Sequence, residues 1–297
     1  MNTAVEIVEV SPRDGLQNER QAVSTADKLR LIRFAVDAGI KRLEIASFVN
    51  PAKVPQMADA EDVVAGAPRL DDVTYIGLAL NRQGAERALK TNIDQIGAVV
   101  VCSDTFARRN QGQTARESLD VAIDIARLAR DNGRTASVMV AVAFGCPFEG
   151  EVAQDDVVEF VLELAEAEPY EIALADTIGV ADPWRVMSLM TKLREALPDI
   201  RLRGHFHNTR NNGVANAYAA ILAGATAIDA SVGGLGGCPF APAATGNIAT
   251  EDLAYMLQRG GIKTGVDLQK LIEACAWMNN VVGRPLPSMV SRAGGFP

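Results

Sequence analysis

Histidine, cysteine and aromatic residues are scarce in this chain: two, four and 5% of 297 residues. Cys102, Cys146, Cys238 and Cys275 lie far apart with no CxxC spacing, which excludes a zinc ribbon and argues against a disulfide framework. No run of lysine and arginine marks a phosphate-tracking stripe, and 29 basic against 37 acidic residues leave a net charge of -8. Nucleic acid is therefore not an expected partner. No apolar run approaches the roughly 20 residues that cross a bilayer, so no membrane partner is expected either. The turn after the first strand-like run reads Ser11-Pro12-Arg13-Asp14-Gly15 and lacks the GxGxxG of a dinucleotide fold. That first run, Ala4 to Val10, begins within a few residues of Met1 and leaves no room for a signal peptide. Together with unpaired thiols, this points to the cytoplasm.

What is present has a regular rhythm. Hydrophobic residues make up 48% and charged residues 22%, ample for a large core. Short apolar or β-branched runs cover 4–10, 41–48, 73–80, 95–103, 135–143, 171–177, 201–208 and 227–234. They alternate with stretches of helical period, such as 25–38, 114–132, 153–167, 184–196 and 211–224, several closed by a glycine such as Gly133. Eight such β-α repeats predict a (β/α)8 TIM barrel in a single domain, 1–297. Further helices from about residue 250, over 250–260 and 267–282, and a Pro- and Gly-rich tail from Gly283 complete the expectation.

Both histidines fall in Gly204-His205-Phe206-His207, at the end of the seventh run. Residues i and i+2 of a strand share a face, so both imidazoles project together while Leu202 and Phe206 turn toward the helices. The C-terminal end of barrel strands is where such enzymes keep their chemistry. Two neutral imidazoles there can share a divalent metal. Asp14, just past the first strand, and Asn247, after the eighth, are candidate oxygen donors. Two nitrogens with two oxygens suit Mg²⁺ or Mn²⁺ better than a closed structural zinc. Four glycines around Leu235 place Cys238 on a loop at the barrel mouth, where a thiol can attack as thiolate or donate a proton.

Longer motifs carry a resemblance. VEVSPRDGLQNE (8 to 19), EIASFVNP (44 to 51), GCPFEG (145 to 150), ADTIGVADP (175 to 183), HFHNT (205 to 209) and SVGGLGGCPFAPAATGNIATEDL (231 to 253) resemble the HMG-CoA lyase family. The resemblance implies retro-Claisen cleavage of an acyl-CoA, a 3-hydroxy-3-methylglutaryl-CoA-like thioester, to acetyl-CoA and a keto acid. It implies Asp14, His205, His207 and Asn247 as metal ligands, and Arg13 as the group stabilising the thioester enolate. It further implies Cys238 as proton donor, His205 or Asp14 as base, and Glu44 as the residue orienting Arg13. Gln17 and Asp176 are the implied contacts to the substrate, and Arg108 and Arg109, expected in the loop after the fourth strand, the contacts to CoA. A homo-oligomer is compatible with all of this.

The chain also departs from the family pattern. Asn208 stands where Asp is usual, Ser137, Met139 and Ala141 where strand 5 usually presents Arg, Tyr and Ser, and Ala173 where Ser is common. Polar and cationic groups are thus lost from one wall, and a related 3-hydroxy-3-alkylacyl-CoA, such as citramalyl-CoA, is the alternative substrate. A Claisen-type synthase or aldolase on the same scaffold, and a CoA-binding protein without activity, are the rival classes. The tail carries no cysteine for redox control.

Overall fold

The computed structural model describes residues 4–237 and 246–296. Eight parallel strands close into a barrel in sequence order, β1 pairing with β8. They are β1 (Glu6–Glu9), β2 (Arg42–Ser47), β3 (Thr74–Leu78), β4 (Gln95–Val101), β5 (Thr135–Ala141), β6 (Glu171–Asp176), β7 (Leu202–Phe206) and β8 (Ala227–Ala230). All eight expected runs are strands, most of them trimmed at their ends. The eighth stops at Ala230 because Val232–Gly234 turns helically instead of extending.

Around the barrel run α1 (Thr25–Asp37), α2 (Ala60–Gly66), α3 (Arg82–Leu89), α4 (Asp104–Gln111), α5 (Ala115–Asp131), α6 (Gln154–Ala165), α7 (Pro183–Ala196) and α8 (Gly213–Leu222). Helix α5 shows how local sequence builds this layer. Thr114 and Glu117 form a reciprocal capping box. Leu119, Ala122, Ile125, Ala126 and Ala129 then recur on one face and are buried against the sheet. Gly133, with φ of +69°, lets the chain turn back toward β5. Leu202 and Phe206 join the same apolar layer, as their alternation with the histidines predicts.

Two expectations need correction. Arg108 and Arg109 sit in the last turn of α4, not in a loop, because Ser103 caps the helix directly after β4. The tail is also not irregular throughout: α11 (Met289–Ala293) follows α9 (Thr250–Arg259) and α10 (Leu268–Val281). Ser288 caps it, and Asp252 on α9 accepts from the backbone of Met289 and Val290. That anchor, 37 and 38 residues upstream, is invisible to any local reading.

Helix α10 packs on α1 and covers the start of the Gly-rich segment with a second apolar cluster that includes Leu16, Val232, Leu235, Cys275 and Met278. Inside the barrel floor, charges meet across the lumen. Arg42 on β2 reaches Glu171 on β6 at 2.6 Å, and Arg203 on β7 lies 3.2 Å from Glu171 and 3.3 Å from Asp229 on β8. Strands 2 and 6 are not neighbours, so the first contact is possible only through the interior. Among the described residues no helix is long and apolar enough to cross a membrane.

Candidate active site and metal centre

His205 lies within β7 and His207 just beyond it, and their rings sit 5.2 Å apart, centroid to centroid. Asp14 reaches them from the wide helical turn Ser11–Gly15 that follows β1. One donor atom from each of Asp14, His205 and His207 falls within 4.8 Å of the others. The barrel has brought together residues about 190 positions apart, since β8 alone separates β7 from β1.

Each donor is prepared by its neighbours. Nδ1 of His205 lies 3.0 Å from Oδ2 of Asp229, which directs Nε2 at the cluster. Burial disfavours a charged His205, but this carboxylate outweighs it and the pKa rises. Burial likewise opposes the charge on Asp229, and Arg203 with His205 overcomes it, so that carboxyl is held low. His207 has only burial and the neighbouring imidazole acting strongly on it and falls to about 4, a neutral ring with a lone pair at neutral pH. Its Nδ1 is buried without a hydrogen-bond partner among the described residues. Asp14 loses solvation on burial, yet Arg13 and the two imidazoles pull its carboxyl down to about 2. An ionised carboxylate, two imidazoles and an orphaned buried nitrogen fit a divalent cation.

Asn247 adjoins the cluster. Its amide nitrogen donates to Asp14 Oδ2 at 2.8 Å and to the Leu235 carbonyl at 3.1 Å. A half-turn of the carboxamide would exchange its oxygen for that nitrogen. Gly236, at φ +129°, passes so close that a Cβ there would lie 2.7 Å from the Asn247 amide. The Gly-rich segment is thus tightly fitted to the candidate ligand before it reaches Cys238, which lies outside the described residues.

Arg13 is clamped rather than free. Its Nε donates to Glu44 at 2.7 Å and its Nη1 to Asp14 at 2.8 Å. Burial alone would discourage its charge, but Glu44 and Asp14 raise its affinity for the proton, so it stays cationic. It faces a cavity of about 140 Å³ at the barrel mouth, together with Asp14, Gln17, His205 and His207.

The remaining expected residues lie outside the cavity lining. Glu44 stands behind Arg13 and does not line the cavity. Asp176 is buried, and its carboxylate accepts from the backbone of Val180 and Ala181, tying down the turn after β6. Burial outweighs those bonds and raises its pKa. Arg108 pairs with Asp104 at 3.7 Å, and the Arg109 guanidinium lies 4.2 Å from the centre of the Phe148 ring. Sequence reasoning overlooked Asp229, although alternation along AIDAS places it on the inner face beside His205. It also overlooked the cavity's other wall, where Leu78, Val99, Val101 and Phe106 join Met139 and Ala141.

A family profile for HMGL-like proteins matches residues 4–277. The (R)-citramalyl-CoA lyase of Chloroflexus aurantiacus is 41% identical over 98% of this chain and 95% of its own length. The crystal structure of hydroxymethylglutaryl-CoA lyase from Pseudomonas aeruginosa superposes with a TM-score of 0.94 at 38% identity, covering 99% of this chain and 98% of that one. An HMG-CoA lyase structure from Acinetobacter baumannii, in complex with coenzyme A and 3-methylmalate, also gives 0.94 at 38% identity, over 99% and 96% of the two chains. With the barrel, the cluster and these likenesses in agreement, the chain belongs to the HMGL-like family of lyases.

Proposed function

We propose that this protein cleaves a 3-hydroxyacyl-CoA by a metal-dependent retro-Claisen reaction, releasing acetyl-CoA and a carbonyl product. The observation that carries this reading is the clamped Arg13 beside the Asp14, His205 and His207 cluster in one cavity. Asp14, His205, His207 and, after an amide half-turn, Asn247 would hold the cation, Mg²⁺ or Mn²⁺. When bound, such an ion supplies a Lewis acid for the substrate's C3 oxygen.

The chain's own residues do the rest. The C3 hydroxyl loses its proton to a side chain of the cluster. Asp14 and His205 are the two candidate bases, and Asp229 supports His205. The C2–C3 bond then breaks, C3 becomes a carbonyl, and the electron pair passes to C2 as the thioester enolate. Arg13 presents a fixed positive charge to that enolate oxygen, and Glu44 keeps the guanidinium from swinging away. Cys238 donates the proton that turns the enolate carbon into the methyl group of acetyl-CoA. Gln17 lines the cavity and contacts the acyl portion. Arg108 and Arg109, on α4, would contact CoA phosphates, while Asp176 shapes the turn after β6.

A coupled assay for acetyl-CoA release over a panel of 3-hydroxyacyl-CoA thioesters tests this reading. Release is expected, with loss on chelation and recovery on adding Mg²⁺ or Mn²⁺. Full turnover after verified chelation, or condensation of acetyl-CoA with keto acids and no cleavage, would overturn it.

A further inference from the structure

The cavity has two unlike halves. Strands β7, β8 and β1 supply its polar half, with Asp14 and the histidines at the mouth and Asp229 behind them. Strands β3 to β6, contiguous around the other side, supply Leu78, Val99, Val101, Met139 and Ala141, and Phe106 of α4 closes over them. Polar groups on this side are neutral: Asn110 of α4 and Thr177 after β6, whose hydroxyl already accepts from the backbone of Val142.

A substrate carboxylate leaving water for this half would need a cation or several donors in its place. Among the described residues that line the cavity, Arg13 is the one lysine or arginine, and the donors on this side are only the neutral Asn110 amide and Thr177 hydroxyl. Arg13 is engaged by Glu44 and Asp14, Arg203 by Glu171 and Asp229, and Arg109 covers the Phe148 ring. Residues 238–245, Cys-Pro-Phe-Ala-Pro-Ala-Ala-Thr, contain no lysine, arginine or histidine, so that segment cannot bring one.

We infer that the pocket takes a 3-hydroxyacyl-CoA whose C3 substituents are uncharged alkyl groups, with Met139 as a specificity-determining residue. This rests on the lyase reading above and deepens it. The step balances as before: the hydroxyl proton leaves, C2–C3 breaks, the pair moves to C2 and is protonated there. The second product is then a neutral ketone instead of a keto acid, and no oxidant or reductant is consumed. An apolar wall discriminates between similar hydrocarbon groups by only about 10- to 200-fold, so alkyl groups of related size should all be accepted.

The test compares two thioesters of nearly equal shape on the metal-loaded wild-type protein. They are 3-hydroxy-3-methylglutaryl-CoA and 3-hydroxy-3,5-dimethylhexanoyl-CoA, in which an isobutyl group replaces carboxymethyl. Both release acetyl-CoA and are read by one assay. A kcat/KM at least ~10-fold higher for the alkyl compound is expected, within the range an apolar pocket delivers. Equal values, or preference for the carboxylate, would overturn the inference while leaving the lyase reading intact. No acetyl-CoA from either compound would overturn both. Met139→Arg, at a half-buried position, should shift the ratio toward the carboxylate with metal content unchanged. A folded variant with an unshifted ratio would also overturn the inference, and should that variant not fold, the wild-type ratio decides alone.

Discussion

Polar and charged groups are buried at two levels of the barrel interior, and the levels differ in whether they open on the cavity. On the floor, Arg42, Glu171, Arg203 and Asp229 form a chain in which every charge meets an opposite one. At the mouth, His207 keeps a nitrogen without a partner, and Asp14 remains partly open to the cavity. Charges paired away from the cavity hold a shape, whereas donor atoms that face it can act on something that enters. Asp229 touches both levels, since it takes Arg203 on one side and orients His205 on the other.

Three substitutions would break or sharpen that contrast. Arg42→Met should show the floor to be structural. Glu171 would lose its 2.6 Å partner and keep Arg203 at 3.2 Å, so the loss should reach at most about 3–5 kcal/mol, the cost of a fully broken buried pair. Chemical denaturation should register that loss while turnover per folded molecule stays near wild type. A large fall in turnover at unchanged stability would erase the distinction between levels. Arg13→Gln should do the reverse. Gln can still donate to Glu44, but the positive charge is gone, and loss of such a donor lowers turnover about 100- to 1,000-fold. Steady-state kinetics should place the loss in kcat; a change confined to KM would reduce Arg13 to a binding residue.

The last substitution concerns Glu251, beneath the Gly-rich segment, where both its oxygens lie 3.0 Å from the Gly233 amide nitrogen. Burial raises its carboxyl from 4.5 to about 8, with Glu9 and Asp252 adding to the effect against the opposing backbone bonds. The native state therefore keeps a proton that the unfolded chain releases, so stability falls as pH climbs from about 4.5 to 8 and levels off above. Glu251→Gln retains an acceptor for Gly233 and should flatten part of that decline in Tm. An identical pH profile would show that Glu251 does not contribute to it.

How much of this was legible in the chain varies with the distance over which each feature is determined. The strands were readable because apolar runs and their breakers are local, and the paired imidazoles because strand alternation needs only two residues. The short helices α2, α3 and α4 were harder to see, since seven or eight residues offer little periodicity. Arg13's clamp and the orientation of His205 depend on which strands become neighbours when the barrel closes. Met139 departs from the family pattern, but its companions Leu78 and Val99 are indistinguishable from ordinary core residues until closure sets them around one opening.

Glu9 sits where that closure happens. One oxygen accepts from the backbone of Ser11 and of Val232, and the other takes the hydroxyl of Thr250, 241 positions away. It is a seam joining the first strand to the last, and Asp14 stands five residues beyond it. Because such distant pairings form late in folding, a partly made or misfolded copy would hold Asp14 apart from the histidines. A divalent ion held by this cluster would therefore be a certificate of completion: only a chain in which the first and last strands have met can bring Asp14 to the histidines.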